Sequence, residues 1–292
     1  LPDRRPLHHA AAVGDLTLDT AVEPFGSGAY RATLSADWEI WGPMGGYVAA
    51  CALRAAGAES ALPRPAAFSC HYLSVARFGP VDLRVEPRRT GRTAQSLRVE
   101  VSQDGTPVLD AQCWSVADGL EGLEHDETVA PDLPGPEDLP PAPWDIGAEA
   151  SPFPFWANLE TRFSDREAQW PPDGPRPAVS RQWIRFRQGD FSDPWADAAR
   201  AVVLCDLPSW PSAHRPHAWR RPPFTAPTLD LQVTFGRPAT GCDWLLCDGA
   251  APLSTAGLFG WTARMWSAGG RLHASGGSQC LYRRLPGGPA SA

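Results

Sequence analysis

The stretch "WGPMGGYVAACALRAAGAES", residues 41–60, decides how the rest of the chain is read. Gly42, Pro43, Gly45 and Gly46 stand directly ahead of a run built almost wholly of small residues. Glycine suits a tight turn or a backbone that something approaches closely. Alanine forms helix readily and lets that helix sit near other backbone. The pattern predicts a buried helix over about 45–59 whose N-terminus is kept bare for a ligand. Close helix–sheet packing is a second use for Gly45 and Gly46, compatible with the first.

On either side of this helix the sequence alternates like strands. Residues 16–22 (LTLDTAV) and 29–34 (AYRATL) precede it; 66–76, 80–89, 93–102 and 107–117 follow it. "SQDG" at 102–105 is a hairpin signal, because Asp-Gly tolerates positive φ. Residues 118–152 change character: acids and prolines dominate without a clean period, as in a linker that wraps a surface. The order of elements then repeats. Strands are expected at 157–164 and 180–187, a helix from Pro194 to about Cys205, and strands at 228–235, 243–248, 257–267 and 271–281. Asp193 is placed to cap the second helix, and Pro194 sits where the first helical position tolerates proline. "SAGG" at 267–270 stands where "SQDG" stands earlier. Two degenerate copies of strand–strand–helix–meander imply duplication. The expected units are 1–118, a linker over 119–152, and 153–292.

Composition excludes several functions. Of 292 residues 43% are hydrophobic, ample for a core, and the net charge is −7. Every basic residue is arginine. An acidic chain without a basic tract argues against nucleic acid as a partner. No apolar run is long enough to span a bilayer, and no secretory signal is evident, although the chain starts at Leu1. The seven cysteines form no CxxC pair and no zinc spacing. Reduced core thiols are expected, as in a cytoplasmic protein. No G-x-S-x-G elbow, Walker loop or dinucleotide fingerprint occurs.

A helix entered through "GPMGGY", a meander, and later "DWLL…GLFGW…RLHASGGSQ" together resemble the double-hotdog acyl-CoA thioesterases, the bacterial acyl-CoA thioesterase II type above all. The likeness covers about 15–118 and 155–284. It implies an α+β double hotdog: two tandem antiparallel sheets, each wrapped around a long helix and joined edge to edge. It also implies hydrolysis of an acyl-CoA or acyl-carrier thioester, no cofactor, and a homo-oligomer. The family holds a water with an Asp, a Ser/Thr and a Gln. Carried over by resemblance, these are Asp230 in "PTLDLQVTF", Ser254 or Thr255 in "PLSTAGL", and Gln279 in "HASGGSQC". Two departures stand out. The hydroxyl position falls on Pro252 at strict register, and one extra residue separates Ala274 from Gln279, which a β-bulge at Gly276–Gly277 would absorb.

Backbone N–H groups at a helix start would stabilise the oxyanion. The sequence leaves open whether the first helix start, the second (about 194–196) or both would work. Gly45, Gly46, Tyr47, Trp41, His71 and Trp219 are the candidate substrate-binding residues. His71 is also a base by type, though a lone histidine on a sheet serves structure more often. Arg215, Arg220 and Arg221 offer contacts to a CoA phosphate or a solvated loop. The imperfect hydroxyl match keeps two other readings open: a non-hydrolytic hotdog enzyme such as a dehydratase or cyclising enzyme, and a non-catalytic acyl-binding module.

Overall fold

The computed structural model describes residues 13–147, 151, 153–164, 174–217 and 223–285. The first half begins with a one-turn helix, α1 (Leu16–Asp19), where alternation predicts a strand. Local capping decides the matter: the Asp15 carboxylate accepts from the Thr17 and Leu18 N–H groups and closes a helical turn. Strands β1 (Glu23–Gly26) and β2 (Ala29–Leu34) lead to α2 (Gly45–Glu59). A meander follows: β3 (Arg64–Tyr72), β4 (Gly79–Thr90), β5 (Ala94–Gln103) and β6 (Thr106–Val116).

The second half repeats this order. It contains β7 (Leu159–Phe163), β8 (Val179–Phe186), α3 (Pro194–Asp206), a short α4 (Ser209–His214), β9 (Phe224–Thr225) and β10 (Asp230–Phe235). Strands β11 (Leu245–Thr255), β12 (Leu258–Ser267), β13 (Leu272–Leu281) and β14 (Arg283–Arg284) complete it. The expected loop over 207–223 therefore contains a helix, and α3 runs one residue further than predicted, to Asp206.

The main sheet has twelve strands in the order β1-β2-β4-β5-β6-β3-β10-β13-β12-β11-β8-β7. Each half supplies six neighbouring strands in the same internal order, read from opposite ends. The halves join through corresponding strands: β3 and β10 run antiparallel from Asp230 opposite His71 to Thr234 opposite Ala67. This is the double hotdog the sequence implies.

The helix α2 is apolar over most of its surface because it is enclosed over most of its length; Arg54, Ala58 and Glu59 near its C-terminal end are not fully buried. Ala49, Ala50, Cys51, Ala52, Leu53, Ala55 and Ala56 are fully buried. It packs head-to-tail against α3. A Cβ on Gly46 would stand 3.0 Å from the Val203 Cα and 3.1 Å from the Val202 carbonyl oxygen. At the other end, a Cβ on Gly57 would meet the Trp195 indole at 2.5 Å. The small side chains thus let two helices touch backbone to backbone while the sheet closes over both.

Residues after β6 lie against the outer face of the second half. Trp183 Nε1 donates to the Pro134 carbonyl at 3.0 Å, and Trp244 Nε1 to Glu137 Oε1 at 3.1 Å. Ala130, Leu133 and Leu139 pack there on a small cluster of Trp183, Trp244, Leu246 and Trp266. The acid- and proline-rich stretch is attached by tryptophan donors, and several of the thirteen tryptophans serve packing. All seven cysteines are free thiols. Among the described residues no helix is long and apolar enough to cross a membrane.

Candidate active site

The two helix starts differ in chemistry. At α3 the Asp193 carboxylate accepts from the Ala196 N–H at 2.9 Å and also pairs with Arg54. That terminus is satisfied by its own cap. At α2 the capping position is Met44, whose side chain can accept no such bond. The Gly46 N–H instead donates to Asp206 Oδ2, the last residue of α3, at 2.7 Å. One helix borrows its cap from the other. The Gly45 N–H has no partner among the described residues.

Asp206 is almost wholly buried at the C-terminal end of a helix, where the helix dipole opposes negative charge. Thr228 Oγ1 donates to its other oxygen, Oδ1, at 3.1 Å. Burial pushes the carboxyl up from 3.8 to about 6, against the lowering effect of the Gly46 and Thr228 hydrogen bonds. A carboxylate that exchanges its proton near neutrality is suited to general base work. Gly45 brings its backbone close to this carboxylate: a Cβ there would lie 3.0 Å from Asp206 Oδ2 and 3.4 Å from the Tyr72 hydroxyl, a tight fit.

Strand geometry explains how Thr228 reaches Asp206. Thr228 bridges Cys280, whereas Gln232 pairs with Gly277. From these pairs the β10 side advances four residues while β13 advances three. An extra residue therefore lies between Thr228 and Gln232, and Thr228 and Leu231 both turn inward although three positions apart. Asp230 falls inside this bulge. Its Oδ2 accepts a hydrogen bond from the Ser278 hydroxyl.

The structure locates the remaining candidates as follows. On the β12 side the β13 register is continuous from Leu281 to Ala274, so the expected bulge at Gly276–Gly277 is absent there. Gln279 stands opposite Gly260 and is exposed, while Ser278 stands opposite the buried Trp261. Gln279 and Thr255 line a groove of about 420 Å³ with Leu253 and Thr262. Ser254 exchanges a 3.0 Å hydrogen bond with the Tyr282 hydroxyl. None of these three has a hydrogen bond to Asp206 or Thr228, and Gln279 makes no side-chain hydrogen bond to Asp230 among the described contacts.

Gly45 and Gly46 lie at the site. The Tyr47 hydroxyl is engaged elsewhere: it donates to the Asp19 carbonyl at 2.8 Å and accepts from the Ser35 N–H at 3.1 Å. It latches α2 to the end of α1 and to the residue that follows β2. Trp41 is 48% exposed, adopts φ +87, and meets Trp210 and Phe153 edge-on. It forms an apolar approach three residues ahead of Met44. His71 is exposed on the seam, opposite Asp230 on one side and Asp110 on the other. Trp219, Arg220 and Arg221 lie outside the described residues.

Three residues of the site escape the sequence reading. Asp206 sits at the end of "AVVLCD", an acid closing a buried helix. Thr228 is two residues before the more conspicuous Asp230, and Tyr72 follows the more conspicuous His71.

Comparison with known proteins bears on the family and the fold. Residues 34–116 match the model of the acyl-CoA thioesterase N-terminal domain, and 136–281 that of the C-terminal domain. Among solved structures, the chain is similar to an acyl-CoA thioesterase II, TesB2, from Mycobacterium marinum. They share 22% identity over 93% of this chain and 99% of that one, with a TM-score of 0.76. A hot dog fold protein of unknown function from Alicyclobacillus acidocaldarius shares 25% over 92% and 98%, with a TM-score of 0.78. A tesB protein from Mycobacterium avium subspecies paratuberculosis shares 21% over 93% and 99%, with a TM-score of 0.75. No curated protein matches the chain.

Proposed function

The chain belongs to the acyl-CoA thioesterase family and is a thioester hydrolase; from that premise we propose that Asp206 and Thr228 hold the attacking water at the start of α2. The observation that carries this is the buried Asp206 carboxylate, bonded on one oxygen by Gly46 N–H and on the other by Thr228.

Thr228 spends its proton on Asp206; the Cys280 thiol at 3.8 Å faces one of its lone pairs, and the other is left to accept a hydrogen bond from water. Asp206 takes a proton from that water as the oxygen attacks the thioester carbonyl carbon. Negative charge then develops on the carbonyl oxygen, and the Gly45 N–H at the positive end of α2 meets it. When the carbon–sulfur bond breaks, the proton on Asp206 passes to the departing thiolate. The products are a carboxylic acid and a free thiol, and the carboxylate of Asp206 is regenerated.

The substrate class follows from the family: an acyl-CoA. The exposed Trp41, backed by Trp210 and Phe153, supports an apolar acyl or pantetheine arm entering from that side. Asp230 and Gln279, the sequence candidates, are assigned supporting positions on the seam and outer face instead. The test is thiol release from a panel of straight-chain, branched and aromatic acyl-CoAs. Turnover by the wild type that Asp206→Asn reduces at least about 100-fold supports the reading. Turnover that survives Asp206→Asn but fails in Asp230→Asn returns the role to Asp230.

A further inference from the structure

The Tyr72 hydroxyl is buried and has no hydrogen-bond partner among the described residues. A buried hydroxyl without a partner is costly, so its presence calls for a reason. Its position supplies one. Tyr72 ends β3, held by its N–H to the Leu229 carbonyl at 2.9 Å, on the strand pair that joins the two halves. Like the buried Phe68 and Cys70 before it, it occupies an inward-facing position. Its hydroxyl lies 3.4 Å from where a Gly45 Cβ would be, and Asp206 Oδ2 lies 3.0 Å from the same point. The Tyr72 hydroxyl and the buried carboxylate therefore flank one small space beside Gly45, whose N–H has no partner among the described residues.

We propose that the Tyr72 hydroxyl is a second donor to the thioester carbonyl oxygen, acting with the Gly45 N–H as the tetrahedral intermediate forms. The assignment rests on the hydrolase reading above, with the water on the Asp206 side. The hydroxyl suits the task because burial, with the nearby Cys70 and Asp206, raises its pKa well above that of free tyrosine. It stays a neutral donor throughout the working range. No proton leaves it; it donates a hydrogen bond to charge that grows on oxygen and then collapses into the carboxylic acid. In the resting protein only the Cys70 thiol, a weak acceptor, stands beside it, so no strong internal bond has to break before substrate is met. One such donor typically contributes about 10²–10³-fold in kcat.

The experiment is Tyr72→Phe, compared with wild type in steady-state acyl-CoA hydrolysis, pH profile and thermal unfolding. Removing an unpartnered hydroxyl leaves no protein group stranded, so the variant folds with an unchanged or higher Tm. The expected result is a fall in kcat of about 30-fold or more, with KM within about threefold and the profile still governed by a group titrating near the Asp206 value. A kcat within about threefold of wild type overturns the assignment. So does a lowered Tm, which would make the hydroxyl a structural partner, or a displaced pH profile, which would make it act through Asp206. A wild type that hydrolyses no acyl-CoA removes the hydrolase reading first, and this assignment with it.

Discussion

Asp206 Oδ2 stands 2.7 Å from the Gly46 nitrogen, so the tail of one central helix caps the head of the other. The bond spans the two halves of the duplicated chain and sets a carboxylate against the positive end of α2. Neither half alone has both parts.

Burial raises the Asp206 carboxyl to about 6, so the folded protein binds that proton more tightly than the unfolded chain, whose group titrates near 3.8. If ionised Asp206 is the base, kcat/KM rises with pH, reaches half its limit near pH 6 and then levels off. Rates measured between about pH 4 and 8 under constant ionic strength check this; a flat profile across that window excludes Asp206 as the base.

The same shift makes a stability statement of opposite sense. Protonated Asp206 contributes stability that is fully present below pH 3.8 and is lost as pH rises through about 6. Asp206→Asn, which cannot ionise, is therefore expected to melt higher than wild type at about pH 8, by roughly 1–3 kcal/mol of unfolding free energy. The gap should shrink as the wild type protonates. Calorimetry at both ends of the range gives the comparison, and a variant less stable than wild type at alkaline pH contradicts it.

Thr228→Val removes one hydrogen bond to a buried carboxylate and the acceptor for water. A loss of about 10- to 100-fold in kcat is expected, with Thr228→Ser recovering most of it. Equal losses in the valine and serine variants would point to the methyl group instead.

Gly45→Ala adds a methyl group 3.0 Å from Asp206 Oδ2 and 3.4 Å from the Tyr72 hydroxyl, in the space assigned to the carbonyl. The position lies in a helix that accepts alanine, so the fold should persist while kcat/KM falls at least about 100-fold. Gly57→Ala makes the contrast: its methyl group meets the Trp195 indole far from the site, and it should destabilise by about 1–3 kcal/mol with near-normal kcat. Exchanged outcomes for the two glycines would reverse their roles.

Much of the architecture is legible in the residues because it rests on local rules. The alanine run names α2, Asp-Gly names a hairpin, and Asp193 with Pro194 marks the start of α3, where the Ala196 N–H bond is found. The short α1 is missed because alternating LTLDTAV reads as a strand, while the Asp15 side chain closes a turn. The site is harder for a different reason. Its members come from four separate elements, and their meeting depends on helix-against-helix contact and on a bulge that turns Thr228 inward. Asp230 looks like the odd acid on an alternating strand, yet its carboxylate meets Ser278. Gln279 follows the expected spacing only loosely, and the uninterrupted register with β12 leaves it opposite Gly260 on the exposed face.

The self-capped start of α3 carries a numerical consequence. Duplication supplied two helix starts, but at the second Asp193 caps the helix and pairs with Arg54, an ion pair of the protein's own. Each polypeptide should accordingly bind a tight thioester mimic with a stoichiometry of one rather than two.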